Sequence, residues 1–334
     1  MVNIPFEIQD VSDEDHQLIW NVAKEKRQYV QVGPSKYFYP KEYEDLGPIC
    51  YNFKIRPDDV FVVNYPRSGS TWLSEMIWLI NNNLDYATAK SVDVGCRFPL
   101  MDVSVVKLPK LEKERIKSLA EEERSKQVSK YFSTLFDEYS NITTRRFFKT
   151  HLPLSLLPPD LLDKAKVVYI ARDPRDVFVS VYHLLKNRIY DDKPDEIWNL
   201  FRRGLLPWCP VFPHVKEGWV ARDNPNLLFI FYEDVVNDLQ GSLRRMASFF
   251  GKDLTDEQIH ELCEHLRFDN IKKNEAVNQQ ETMAELGVCS GQSPFIRKGL
   301  IGDWRDHFSK DQAQEAEEWM RENISDSELK YSTF

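Results

Sequence analysis

The stretch FVVNYPRSGSTWLSEMIWLI, Phe61 to Ile80, decides the fold. It begins as a β-branched and aromatic run, breaks at Pro66-Arg67-Ser68-Gly69-Ser70-Thr71, and resumes with apolar residues at helical spacing. A strand, a tight turn carrying glycine, hydroxyls and a cation, and then a helix start together make an anion site. The N–H groups of such a turn and of the first helical turn have no internal partner and point at whatever sits there. The same residues also fit an ordinary strand-to-helix connection in which Ser70 or Thr71 only caps the helix. The rest of the chain has to separate these two readings.

Outward from this turn the β-then-α order repeats. Val60–Asn64 reads as the first strand and Thr71–Asn83 as the helix that follows. In KVVYIARDPRDVFVSVYHLLKN, the continuous apolar run Val167–Ala171 suits a strand buried on both faces, and Asp173-Pro174 starts the next helix with proline at a favourable first position. LLFIFYE, Leu227 to Glu233, reads as a third strand, with helical patterns through 237–250 and 255–267. Strands alternating with helices predict a single α/β domain with a central parallel sheet flanked by helices, whose ligands sit at the carboxyl ends of the strands. Upstream, residues 12–30 suit an amphipathic helix, and 31–58, rich in Tyr, Pro and charge, read as a loop-rich lead-in. The charged segment 107–130 reads as a solvated surface helix. Residues 272–296 lack periodicity and read as a lid, a binding loop or a disordered segment.

The totals narrow the function classes. A chain of 334 residues with 42% hydrophobic and 29% charged residues is long enough for a sizeable core and reads as globular. A net charge of −9 argues against a general nucleic-acid or membrane-surface binder, so a basic anion site has to be local. Five scattered cysteines without CxxC spacing fit a reducing compartment and neither a disulfide framework nor a zinc cluster. The acidic start carries no secretory signal and no segment has 18 uninterrupted apolar residues, so a cytoplasmic protein is expected.

Four polar clusters fall where such a sheet would present them. PRSGSTW is the first; GxxxxGK[ST] is absent, which disfavours a nucleoside triphosphatase. FFKTHLP is the second. Lys149 and His151, two apart at a strand end, share one face, although a lone histidine is more often structural. In the third, Arg172 and Ser180 straddle a strand–helix turn and can grip an oxyanion, unless Arg172 pairs with Asp173 or Asp176. RKGLIGDW, Arg297 to Trp304, is the fourth: two cations beside Gly299 suit close approach of backbone to a phosphate, and a loose surface loop is the competing view.

Taken together and in order, YPRSGSTW, KTHLP, ARDPRDVFVSVYH and RKGLIGDW resemble the signatures of the cytosolic sulfotransferases, and FYEDV at 231–235 joins them. FPLMD at 98–102 and the insertion-like charged segment resemble insect-type members of the retinol dehydratase kind. The resemblance implies transfer of a sulfuryl group from 3′-phosphoadenosine 5′-phosphosulfate (PAPS), leaving PAP, without a metal, to a hydroxyl of a small apolar acceptor such as a phenol, steroid or retinoid-like alcohol. It implies residues 1–56 as a lead-in packed on a sulfotransferase domain of 57–334.

Roles follow from the same resemblance. Arg67, Ser68, Gly69, Ser70 and Thr71 would wrap the 5′-phosphosulfate in a P-loop-like turn, and Trp72, Trp208 and Phe268 would pack on the adenine. Arg172, Ser180, Arg297, Lys298 and Gly299 would bind the 3′-phosphate. His151 would be the base and Lys149 and Arg67 neighbouring cations, with Phe98 and Leu184 lining the acceptor side. Sulfuryl transfer is an in-line displacement in which positioning and charge stabilisation do most of the catalysis. The chain departs from the family at Arg67, where Lys is usual, and at Arg267, where Ser is frequent. After GDW, RDHFSKDQAQ matches the family's dimerisation stretch poorly, which leaves a homodimer open. The rival readings are a PAPS- or PAP-binding module without turnover and a kinase-like phosphotransferase.

Overall fold

Four apolar runs lie side by side as one parallel sheet in the computed structural model, which describes residues 4–102, 121–186, 189–280 and 294–334. They are β4 (Val60–Val63), β5 (Phe147–Thr150), β6 (Lys166–Ala171) and β7 (Leu227–Phe231), in the order β5-β4-β6-β7. Val60 lies beside both Phe147 and Lys166, and Val63 beside both Thr150 and Tyr169, so the carboxyl ends of the three neighbouring strands are level.

Alternation sends the side chains to two cores. Phe61, Val63, Phe148, Val167, Tyr169 and Phe229 join one cluster, while Val60, Val62, Phe147, Val168, Ile170 and Ile230 join the other. Burial on both faces is why these strands read as unbroken apolar runs rather than alternating ones.

Helices cover both faces. α3 (Ser70–Asn81) follows β4 and α5 (Pro174–Leu185) follows β6. Asp173 caps α5, its carboxylate accepting the Arg175 N–H at 2.9 Å, with Pro174 opening the helix as its sequence predicts. The remaining longer helices are α4 (Glu121–Asn141), α6 (Pro194–Arg202), α7 (Val211–Val220), α8 (Leu239–Phe249), α9 (Asp256–His265) and α10 (Lys310–Ile324). No helix among the described residues is long and apolar enough to cross a membrane. The charged segment 107–130 is described only from 121 onward, where it is helical, and residues 107–120 of that expectation lie outside the described residues, as do 281–293 of the expected loop.

The N-terminal region departs from the reading of its sequence. α1 (Asp13–Trp20) is short, and the chain then forms β2 (Tyr29–Val32), which pairs antiparallel with β1 (Ile8–Asp10) and β3 (Tyr37–Pro40) before α2 (Tyr43–Tyr51). The β-branched and aromatic residues at 29–32 and 37–40 answer to partners across a turn, and that pairing overrides the helical spacing that Ile19 and Val22 begin. The Tyr29 N–H is donated to Nε2 of the buried His16, which ties α1 to β2.

Candidate active site

The level carboxyl ends of β4, β5 and β6, together with β7, open into a cavity of about 730 Å³, within the range of small-ligand sites. The turn after β4 enters it first. Arg67 and Gly69 hold positive φ angles, 70° and 97°, so the chain folds sharply back to start α3. A side chain at Gly69 would also meet the Tyr232 ring at 2.8 Å. Glycine is required there twice over, for backbone angle and for space. Arg67, Gly69, Ser70, Thr71 and Trp72 line the cavity; Ser68 is buried and is not among the lining residues.

The cations converge from three segments. Arg67 donates through Nε to Ser180 Oγ (3.0 Å) and through Nη2 to the Phe295 carbonyl (2.7 Å), a fork that a lysine cannot reproduce. Arg172 donates through its two terminal nitrogens to the carbonyls of Arg67 (3.1 Å) and Leu300 (3.0 Å), and its guanidinium lies 4.5 Å from the centre of the Tyr232 ring. Asp173 pairs with Arg175 at 2.7 Å, and Asp176 stands 4.0 Å from Arg172 while accepting the N–H groups of Gly302 (2.7 Å) and Trp304 (3.0 Å). The GDW turn is thus clamped to α5, which brings Arg297, Lys298 and Gly299 over Arg172. Two buried donors, Nε of Arg172 and Nε of Arg297, have no partner among the described residues. A buried donor without a partner is costly, so both suit an anion between them.

Arg297 and Lys298 meet on Asp303, at 2.5 and 2.7 Å. Burial pushes the Asp303 carboxyl up, but the two cations win and hold it at about 2. The aromatic side of the cavity is carried by Trp72, whose indole donates to the Leu266 carbonyl (2.9 Å), and by Phe268, packed on Gly299.

His151 stands just past β5. Its Nδ1 lies 3.1 Å from the Asn64 carbonyl. A carbonyl only accepts, so Nδ1 carries the proton and Nε2 keeps its lone pair. Burial pushes the imidazole below its ordinary range, against the Asp102 carboxylate, which favours the charged form. Lys149, on the same strand face, is buried, and desolvation lowers its amine to about 8 despite Asp93 and Asp102 nearby. This is a neutral base and a weakened cation on one wall.

Of the expected acceptor residues, Leu184 lines the cavity and Phe98 does not. Phe98 is fully buried against Phe147, ring centres 5.5 Å apart, in the core on the far side of β5, and its neighbours Pro99 and Leu100 face the cavity instead. Trp208, expected on the adenine, meets His151 edge to face at 5.7 Å, which makes it part of the wall of the base. Arg267 lines the cavity with its guanidinium 3.3 Å from exposed Glu264.

Reading the sequence missed four residues that matter here. Tyr232 packs on Gly69 and donates its hydroxyl to the Gly299 carbonyl (3.0 Å), joining two phosphate-side segments; its place in FYEDV was the available signal. Asp102 likewise ends FPLMD, while Phe295 and Tyr139 gave no signal. Among the described residues no three His, Cys, Asp or Glu side chains group as a metal site.

Comparison with known proteins places these features. Residues 57–328 match the family model described as the sulfotransferase domain. The chain is similar to the luciferin sulfotransferase of Photinus pyralis, 31% identical over 90% of this chain and 80% of the relative. It is also similar to sulfotransferase 1E1 of Bos taurus, 31% identical over 84% of this chain and 88% of the relative. Among solved structures it resembles retinol dehydratase in complex with androsterone and the inactive cofactor PAP, at 38% identity, a TM-score of 0.89 and 99% coverage of both chains. Retinol dehydratase in complex with retinol and PAP is equally near, at 38% identity and a TM-score of 0.88, covering 98% of this chain and 99% of that one.

Proposed function

The chain belongs to the sulfotransferase domain family, and from that premise we propose that it moves the sulfuryl group of PAPS to the hydroxyl of a small apolar alcohol or phenol, with His151 as the base. One observation carries this reading: a single cavity holds both an anion-binding turn at a helix start and a half-buried histidine whose free nitrogen is fixed by the Asn64 carbonyl. The complexes of retinol dehydratase, with PAP and with retinol or androsterone, support the choice of nucleotide and of an apolar hydroxyl compound. Free thiols at Cys50, Cys96, Cys209 and Cys263 support a reducing, cytoplasmic setting.

The residues present fit the nucleotide. The unpartnered Nε atoms of Arg172 and Arg297, with Ser180 and Lys298, would take the 3′-phosphate, and Trp72 and Phe268 the adenine. The turn from Arg67 to Thr71 would hold the 5′-phosphosulfate, with N–H groups and the α3 start aimed where negative charge grows as the phosphate leaves. PAPS supplies the sulfuryl group. His151 Nε2 would accept the acceptor's proton as its oxygen becomes a nucleophile, and Lys149 would add positive charge beside the transferring group.

Replacement of His151 by Ala tests the assignment. Removing a general base costs about 10²–10⁴ in rate, so transfer to androsterone or retinol should fall by at least about 10² while PAP affinity by calorimetry stays within about twofold. A variant keeping a tenth of the wild-type rate would exclude His151 as the base.

A further inference from the structure

Asp102 is a buried carboxylate with no cation within 4.0 Å among the described residues, and its two oxygens are spent on neutral N–H groups of the cavity wall. Oδ1 accepts the backbone N–H of His151 (2.9 Å) and Oδ2 accepts the indole N–H of Trp208 (2.9 Å). The two aromatic rings so joined meet edge to face, at 84°. His151 is held from its other side as well: its carbonyl accepts from Nε2 of buried His214 (3.0 Å), whose Nδ1 lies 2.7 Å from the Tyr169 hydroxyl. Trp208 is held through its own N–H, donated to the Phe38 carbonyl (2.9 Å), in a backbone with φ 69°.

Burying a charge on neutral donors alone is costly to the fold, yet only a carboxylate offers one acceptor oxygen to each of the two N–H groups. A carboxylate in that position has to return something to the site. We propose that Asp102 is a positioning residue for the transfer reaction: one carboxylate locks the His151 peptide and the Trp208 indole into a rigid frame, fixing the imidazole toward the acceptor. This rests on the reading of His151 as the base. The charge has a second effect, because it faces an imidazole that Lys149 and Arg67 both push toward neutrality, with the Asn64 carbonyl on Nδ1. Asp102 opposes those cations and keeps the base stronger than burial would leave it.

The test compares Asp102→Asn with wild type, using PAPS with two probe acceptors: androsterone, whose hydroxyl must lose its proton in the reaction, and a nitrophenol already ionised at the assay pH. In Asp102→Asn the amide oxygen can accept from only one of the two N–H groups, and the charge is gone. Transfer to androsterone should fall by about 10–100-fold, and the acid limb of kcat/KM should move to lower pH, because the imidazolium has lost its stabilising neighbour. Transfer to the nitrophenol should stay within about threefold and PAP affinity within about twofold. Equal losses with both acceptors, an unmoved acid limb, or a loss confined to PAP affinity would each overturn the proposal. His151→Ala run beside it separates the two claims: if that variant keeps transferring to androsterone, the base reading falls, whatever Asp102→Asn does. Should Asp102→Asn fail to fold, the pair Asp102→Asn with Trp208→Phe removes the unmatched indole donor and carries the same readouts.

Discussion

At the scale of single residues, the site works by displacing charges from their usual ranges. Lys149 is the case where the displacement has a consequence that a pH profile can read. Burial lowers its amine to about 8, so the charge it would offer the transferring group is full below that pH and fades as pH rises through it. The rate of transfer should therefore decline through about pH 8, not near the ordinary lysine range, and Lys149→Met should be slow and lack that limb. A rate level from neutral pH to well above 9 would show that the amine carries no charge that the reaction uses. The residues themselves were legible to different degrees. Arg67, Lys149, His151 and Arg172 sit in short motifs at the ends of parallel strands, where the sheet brings them to one cavity, and Arg297 sits in a short motif that Asp176 clamps over it. The role of Asp102 was not legible, because its partners lie 49 and 106 residues away and no local pattern joins them. Phe98 misled because an aromatic beside a cavity segment looks like lining, whereas its ring packs on Phe147 in the core while Pro99 and Leu100 face the cavity.

At the scale of elements, the ends of the four parallel strands meet the loop 294–302, and glycines fasten the turn after β4 and that loop. Gly299 has φ 68°, and a side chain there would come within 2.5 Å of the Phe268 ring. The segment Arg297–Gly299 can lie flat under Phe268 only without that carbon. Gly299→Ala carries a backbone cost of about 1–2 kcal/mol and must push Phe268 aside, so PAP affinity should fall by about tenfold or more. Titration calorimetry with PAP checks this, and affinity within twofold of wild type would mean Phe268 is no part of the nucleotide surface. The strands β4, β6 and β7 were readable because burial on both faces leaves unbroken apolar runs, and their boundaries shift by only one or two residues. β5 was readable only as the end of FFKTHLP. Expectation failed upstream of the parallel sheet, where strands of three or four residues rich in Tyr and Pro carry no periodicity long enough to separate them from loop.

At the scale of the molecule, the first 56 residues are more than a lead-in to the sheet. Val11, Ile19, Tyr29, Phe38, Tyr39 and Phe53 belong to the same cluster of buried side chains as Phe61, Phe148 and Tyr169 of the parallel strands. The N-terminal sheet also reaches the candidate site: the Phe38 carbonyl accepts from Trp208, and its N–H is donated to the Cys209 carbonyl at 2.7 Å. Trp208 in turn shares Asp102 with His151. We propose that β3 supports the cavity residue Trp208 from behind and that residues 1–56 and 57–334 fold as one unit. Phe38→Ala puts this at risk. Phe38 is fully buried and stacks on Tyr29 with ring centres 4.7 Å apart, so its removal should cost about 3–5 kcal/mol in stability. Two separately folding units would give the variant two denaturant transitions, with PAP release and loss of the N-terminal structure at different midpoints. One unit gives a single transition, shifted as a whole, with PAP release and loss of secondary structure coinciding. The second outcome is expected, because the buried contacts that would have to part first are those that hold Trp208 against His151.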